Sequence, residues 1–175
     1  SALKIPESVL SKTAKYGEKG KDVLERITKT GLEEKIWLTQ GGVEKTAAKI
    51  DLLEEKLGNA IQEGADKGLG VSTIGIKKYI NEAKEMFKNV FDTEYAKKSV
   101  KEIDALYTGF KRKYGNWIPL DKAQEIKTTT YQALRREYGK LSGAAEEGQK
   151  AGVRFLKEQI VKETPVVGNI NERLT

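Results

Sequence analysis

Apolar residues recur at intervals of three and four along most of this 175-residue chain, and this spacing limits the fold more than any other feature. Between residues 76 and 90 the apolar positions follow the spacing 4-3-4-3, and between residues 96 and 114 they follow 4-3-4-3-4. Such a period places an apolar stripe along one side of an α-helix. The sequence therefore predicts amphipathic helices with wide solvated faces.

A break between these two stripes is predicted at "FDTEY", residues 91–95, because the second stripe starts out of phase with the first. Asp92 and Thr93 are residue types that cap helix N-termini. Pro165 predicts the end of the last long helix, since proline cannot continue the backbone hydrogen-bond ladder. Further helices are predicted over residues 6–28 in two pieces split by Gly17 and Gly20, after Gly31, and over 43–65, 120–138 and 142–164.

The predicted fold class is all-α, because no segment has the length and alternation that build a β-sheet. Short connections favour an antiparallel helical bundle, or elongated helical hairpins, of about five to seven helices without a sheet. The glycine-rich stretch "DKGLGVSTIG", residues 66–75, lacks the spacing of a phosphate-binding loop and is predicted to be a helix–helix loop. We expect one helical domain over 1–175, or alternatively two parts, 1–70 and 71–175, and a piece cut from a longer polypeptide.

The chain contains no cysteine and no histidine, which restricts the chemistry it can perform. Zinc sites built on thiolates or imidazoles are excluded, as is nucleophilic catalysis by Cys/His or Ser/His/Asp groups. Adjacent carboxylates such as Glu54-Glu55 point about 100° apart on a helix and do not converge on one ion. We expect no catalytic, metal-binding or cofactor-binding residues and no small-molecule ligand. We also expect neither a signal peptide nor a membrane-spanning segment, since no run approaches the roughly 18 apolar residues that a span needs.

Two similar stretches, "FKRKYGNW" at residues 110–117 and "LRREYGKL" at 134–141, combine basic residues, Tyr and Gly. Glycine just after a basic last turn is typical of helix C-termini. The repeat therefore predicts two helix ends, with Trp117 and Leu141 packing back on the turn before them. A repeated recognition motif is the alternative.

The net charge of +6 lies in one third of the chain, since residues 97–140 contain 11 basic and 5 acidic residues and the rest is balanced. Basic clusters with interleaved aromatics could neutralise phosphates and stack on bases. A solvated helix face is the competing interpretation. The candidate nucleic-acid-binding residues are Lys97, Lys98, Lys101, Lys111, Arg112, Lys113, Arg135 and Arg136.

Small residues line one side of the last long helix, where they could pack a neighbouring helix within the fold or dock a partner helix. Together with the aromatic–basic stretch around residue 114 they are the candidate protein-contact sites. These residues are Tyr114, Trp117, Ala144, Gly148, Ala151 and Gly152.

The block "IPLDKAQEIKTTTYQALRREYG" with "AAEEGQKAGVRFLKEQIVKETPVVGNIN", about residues 118–171, resembles helical segments of large virion-associated or structural proteins of tailed phages and prophages. The earlier "ERITKTGLEEKIW" resembles a helix–Thr-Gly–helix element of the same group. The resemblance implies a non-enzymatic structural module, virion-associated or cytoplasmic, that acts through helix-mediated protein contacts or self-association. The alternative function is a nucleic-acid-binding helical module that uses the basic 97–140 region.

Overall fold

The computed structural model describes residues 40–174, so the helices expected before residue 40 lie outside the described part of the chain. The described residues form six α-helices and two short β-strands. In chain order these are α1 (Gln40–Asp66), β1 (Gly70–Ser72), α2 (Ile76–Lys88), α3 (Thr93–Tyr114), β2 (Trp117–Pro119), α4 (Leu120–Arg136), α5 (Gly143–Glu163) and α6 (Pro165–Leu174). A single 3-10 turn, Thr73–Gly75, joins β1 to α2.

Residues 61–165 form one compact unit, and residues 40–60 and 166–174 belong to a second. In the 61–165 unit α5 packs against α2, α3 and α4, so its apolar stripe lies at the centre of the core. Its largest fully buried side chains include Phe155, Leu156 and Ile160 on α5, together with Ile76, Ile103 and Leu120. In the other unit Thr46, Ile50, Leu53 and Val167 are buried. The prediction of a largely all-α fold is confirmed.

The prediction that the chain forms no sheet is wrong. Strands β1 and β2 pair antiparallel, with Val71 opposite Ile118 and Ser72 opposite Trp117. Val71 and Ile118 point inward and are each 1 % exposed, so the two-stranded ribbon closes the end of the core. Three-residue strands about 45 positions apart carry no periodic signal, because their stability comes from pairing and burial and not from local propensity.

The helix boundaries follow local signals. α2 ends at Lys88 and α3 begins at Thr93, where the Asp92 side chain accepts a hydrogen bond from the Tyr95 N–H, which confirms the break at "FDTEY". The helix end expected at Gly115 is also confirmed, since α3 ends at Tyr114, whereas α4 ends at Arg136, three residues before Gly139. Both glycines have positive φ, 69° and 77°. Such φ values cost little only for glycine. Pro165 ends α5 as predicted, although it also starts α6.

Polar contacts show how α2 lies against its neighbours. Lys84 Nζ lies 2.8 Å from Asp104 Oδ1, which ties the middle of α2 to the middle of α3. On the α5 side, Arg154 lies 2.8 Å from Glu82. Because α2 and α3 run antiparallel, the first turn of α2 lies beside the last turn of α3. Both turns flank the ribbon.

Candidate interaction surface

A hydrogen-bonded cluster holds the ribbon to the end of α3. Thr73, which is fully buried, donates from Oγ1 to the Gly115 carbonyl at 2.7 Å and from its N–H to the Asn116 carbonyl at 2.9 Å. Lys111 Nζ donates to Thr73 Oγ1 at 2.9 Å and to Asn116 Oδ1 at 2.6 Å. These bonds satisfy a buried hydroxyl and fix the turn between α3 and β2. The turn is therefore held both by Thr73, in the segment before α2, and by Lys111, in the last turn of α3.

Trp117 stands on the outer face of this ribbon with 51 % of its surface exposed. Its indole lies against Gly70, because a β-carbon built on Gly70 would be only 2.2 Å from Trp117 Cζ2. Trp117 therefore packs across the ribbon on the opposite strand. A large aromatic side chain is held in place while about half of it faces solvent.

Cations without salt-bridge partners among the described residues lie on the two helix turns that flank this ribbon. The Thr73–Lys111 hydrogen bond brings the first turn of α2, with Lys77 and Lys78, beside the last turn of α3, with Arg112 and Lys113. All four of these side chains are exposed, and none forms a salt bridge with a described residue. Residues 73–78 and 111–117 together contain five cations and no carboxylate.

Ile74 is the second apolar residue of the surface, with 75 % of its area exposed. Ile74 lies two residues after Ser72, which is the cross-strand partner of Trp117. An apolar centre with a charged rim is the usual composition of a protein-contact surface, and Trp and Arg are frequent among residues that dominate binding energy. We call Ile74, Lys77, Lys78, Arg112, Lys113 and Trp117 the elbow surface.

The structure divides the eight predicted nucleic-acid-binding cations into separate groups. Lys97, Lys98, Lys101 and Arg112 lie within about 100° of one another on the solvent side of α3. Lys111 is turned into the hydrogen-bonded cluster, and Lys113 Nζ lies 5.2 Å from the Tyr114 ring centroid. Arg135 and Arg136 belong to the last turn of α4, far along the chain from the elbow surface.

The small-residue side of α5 faces the core. Ala144 and Ala151 are buried, and a β-carbon on Gly148 would lie 2.9 Å from Leu106 Cδ1. At these positions the residues let α3 approach α5 closely, so they serve packing within the unit. Gly152 differs, since a β-carbon there would meet no atom within 4 Å.

Tyr114 is half-buried and packs against Phe110, with 5.1 Å between the ring centroids. Of the six predicted contact residues, Trp117 is the one that reaches the surface as a large exposed side chain. No sequence pattern marked Gly70, Ile74, Lys77 and Lys78 as surface-contact residues. Lys77 and Lys78 follow the glycine-rich stretch in the sequence, but no local sequence pattern indicated that this stretch pairs with residues 117–119.

A second exposed apolar group lies at the opposite end of the α2–α3 hairpin. Phe91 is fully exposed in the turn, and Met86 and Tyr95 beside it are more than two-fifths exposed. The cations at this end of the hairpin form salt bridges, unlike those of the elbow surface, because Lys88 pairs with Glu85 and Lys97 pairs with Glu94. This end therefore offers a matched set of control positions.

Five pKa values are shifted in this unit, and exposed ion pairs account for three of them, the lowered pKa of Glu63 and the raised pKa values of Lys122 and Lys150. Burial, with the nearby Lys157 charge, lowers the pKa of Lys127 on α4. The Tyr79 hydroxyl donates to Glu158, and this bond raises the pKa of Tyr79. The Tyr79–Glu158 bond joins α2 to α5, and neither group lies on the elbow surface.

Among residues 40–174 the structure shows no cluster of three or more carboxylates that could hold a metal ion, and no helix long and apolar enough to cross a membrane. Comparison with protein-family models, with curated proteins and with solved structures finds no match for this chain.

Proposed function

We propose that this chain is a non-enzymatic interaction module of a phage- or prophage-derived structural protein, and that it acts through protein contacts at the elbow surface. One observation carries the proposal: Trp117 is held half-exposed on a ribbon, and the helix turns that flank this ribbon carry cations with no carboxylate partner in the described part of the chain. A side chain that is already ordered loses little conformational entropy when a partner covers it. The resemblance of residues 118–171 to phage structural segments supports the assignment to that class.

The rigidity of the surface favours a contact role. The Thr73 cluster and the Trp117–Gly70 packing both order residues that a free loop would leave flexible. Burying the exposed half of an indole in an interface is worth on the order of 1–2 kcal/mol from its apolar area alone. A few such anchors with a polar rim are sufficient for a specific contact.

A photo-crosslinking amino acid in place of Ser72 tests this proposal, because residue 72 lies opposite Trp117 in the ribbon. The same amino acid in place of exposed Asn81 on α2 is the matched control. In cells that produce the protein, we expect a discrete protein adduct from position 72 that disappears in the Trp117→Ala variant. Equal adducts from both positions, or adducts that do not depend on Trp117, would contradict a contact role.

Nucleic-acid binding is the second candidate, and the shared solvent face of Lys97, Lys98, Lys101 and Arg112 on α3 favours it. Fluorescence titration with single- and double-stranded DNA, between about 50 and about 200 mM salt, tests it. Affinity that falls steeply with salt and is lost in a Lys98→Glu/Lys101→Glu variant would support this candidate. Absence of binding at the lower salt concentration would exclude it.

A further inference from the structure

The two segments that form the ribbon and its flanking turns carry charge of one sign. Residues 68–81 and 105–120 contain five cations and no carboxylate. Four of these cations are exposed and form no salt bridge with a described residue, namely Lys77, Lys78, Arg112 and Lys113. A partner that covers this end of the unit must therefore supply negative charge or leave several cations without counter-charges.

Carboxylates on the neighbouring segments have other partners. Glu82, in the second turn of α2, forms a salt bridge with Arg154 at 2.8 Å. Glu158 on α5 accepts a hydrogen bond from the Tyr79 hydroxyl. Asp121 lies in the first turn of α4, where a negative charge is favourable to the positive end of that helix. No carboxylate in the described part of the chain therefore forms a salt bridge with the elbow surface.

Lys111 adds a fifth charge, and its position is fixed. Its ammonium donates to Thr73 Oγ1 at 2.9 Å and to Asn116 Oδ1 at 2.6 Å. These two acceptors are neutral, and they lie next to the Ser72–Trp117 pair of the ribbon. Because the charge is already ordered and has no described carboxylate partner, attraction of an anionic group to it costs little conformational entropy.

We propose that the elbow surface binds an acidic segment of a partner protein, in which carboxylates flank an apolar side chain. This inference rests on the proposed contact function and names the chemistry of the partner. The apolar side chain would cover the exposed part of Trp117, and the carboxylates would face the cations on the flanking turns of α2 and α3. Charge complementarity of this kind raises the association rate and excludes wrong partners, and it weakens with added salt.

The apolar part of the elbow surface favours a protein segment over a nucleic acid. Proteins that hold single strands use successive aromatic platforms on which the bases stack. Among residues 68–81 and 105–120, Trp117 is the one aromatic side chain that is about half exposed, and Ile74, which is 75 % exposed, offers no ring for stacking. An aliphatic or aromatic side chain of a protein can pack against both residue types.

An anionic lipid surface fits these residues less well than a protein does. Interfacial insertion buries the apolar face of an amphipathic segment, and its strength increases with the apolar area that is buried. Trp117 and Ile74 are the exposed large apolar side chains of residues 68–81 and 105–120, whereas Ile76 and Ile80 in the first turns of α2 are buried. Little apolar area is therefore left for insertion into a bilayer.

Selection from a library of short random peptides on the immobilised full chain tests the proposal. We expect the enriched peptides to combine several aspartates or glutamates with a leucine, an isoleucine or an aromatic residue. The most enriched peptide is then synthesised with a fluorescent label and titrated with the protein, and the anisotropy of the label gives the affinity. This affinity should fall between about 50 and about 500 mM salt, because screening weakens the attraction between the charges.

Two variants that each lose four positive charges separate the elbow surface from net charge. The elbow variant is Lys77→Gln/Lys78→Gln/Arg112→Gln/Lys113→Gln. The control variant changes four exposed lysines that form salt bridges with glutamates of the same unit, Lys88→Gln/Lys97→Gln/Lys140→Gln/Lys150→Gln. The elbow variant should bind the labelled peptide at least about tenfold more weakly than the wild type, and the control variant should stay within about twofold. Trp117→Ala should also weaken binding at least about tenfold. Circular dichroism confirms that all variants are folded.

Selected peptides without an excess of acidic residues would overturn the proposal, as would equal weakening in the elbow and control variants. Oligothymidylate or phosphatidylserine vesicles that displace the labelled peptide more effectively than the unlabelled peptide does would also overturn it, because the elbow surface would then prefer phosphate groups. The contact function itself is read separately. If the selection yields no acidic peptides but the adduct from position 72 still depends on Trp117, the elbow surface binds a protein of other chemistry and only the acidic character is wrong.

Discussion

The indole of Trp117 occupies the space where a side chain on Gly70 would stand. The two residues are diagonal neighbours in the ribbon, since Gly70 pairs with Pro119 and Trp117 pairs with Ser72. This contact joins β1 to β2 and orients the largest exposed side chain of the elbow surface. A side chain introduced at Gly70 should therefore displace the indole of Trp117.

Replacing Gly70 with Ala should displace the indole, because the new β-carbon would lie 2.2 Å from Cζ2. We expect a loss of about 1–3 kcal/mol in the free energy of unfolding, as for other overpacked sites. In a Trp37→Phe background the fluorescence of Trp117 should also shift to longer wavelength. Urea denaturation and emission spectra measure both effects.

Gly152→Ala is the control for this substitution. A β-carbon at Gly152 meets no atom within 4 Å, and the residue lies inside α5. Alanine in a helix interior is favoured over glycine by about 0.5–1 kcal/mol, so this variant should be more stable than the wild type. Equal effects of the two substitutions would show that Gly70 is not constrained by Trp117.

Thr73→Val should destabilise the turn that carries Trp117. Valine keeps the shape of the buried side chain but leaves the Gly115 carbonyl and the Lys111 ammonium without their shared hydroxyl. We expect a loss of about 1–3 kcal/mol, the usual cost of an unsatisfied buried group. Thr128→Val at an exposed position of α4 should change stability by less than about 0.5 kcal/mol. A double-mutant cycle with Lys111→Met should show coupling, and additive effects would contradict the shared cluster.

The side-chain caps of α3 and α5 should each contribute about 1 kcal/mol. Asp92 Oδ1 accepts from the Tyr95 N–H at 2.9 Å, and Ser142 Oγ accepts from the Ala145 N–H at 3.0 Å. Asp92→Ala and Ser142→Ala should lower the free energy of unfolding by that amount. Asp92→Asn keeps a hydrogen-bond acceptor and should lower the free energy of unfolding by only about a few tenths of a kcal/mol. If Asp92→Ala and Asp92→Asn lower the free energy of unfolding equally, the capping hydrogen bond is not the cause of the loss.

Lys127→Met should stabilise the protein at neutral pH. Burial and the Lys157 charge lower the pKa of Lys127 in the folded state below its ordinary value of 10.5. The unfolded chain therefore binds more protons, and the wild type should gain stability as pH rises through the window just below that value. Methionine removes the buried charge and this pH dependence, which urea denaturation from neutral to alkaline pH measures. Lys98→Met, at an exposed site, should leave the dependence in place, and a destabilised Lys127→Met variant would contradict the prediction.

The local signals of this sequence determine its helices. The 4-3-4-3 spacing in α2 and α3, the cap at Asp92 and the glycines at 115 and 139 act within a few residues of chain. Their physical causes, side-chain periodicity, capping hydrogen bonds and positive φ, do not require a distant partner. The helical fold and most helix boundaries were for this reason predictable.

The elbow surface was decided by tertiary structure. Pairing of residues 70–72 with 117–119 depends on contacts between segments about 45 positions apart, and three-residue strands have no period of their own. In the same pairing about half of the Trp117 side chain stays exposed, whereas the local sequence pattern predicted that it packs on its own helix. Lys111 is turned inward and donates to Thr73. Packing of α5 against α3 likewise buries Ala144, Gly148 and Ala151, which the sequence alone left open to either face. Residue types were sufficient to predict where helices start and stop, whereas only the folded chain selects which side chains remain at the surface.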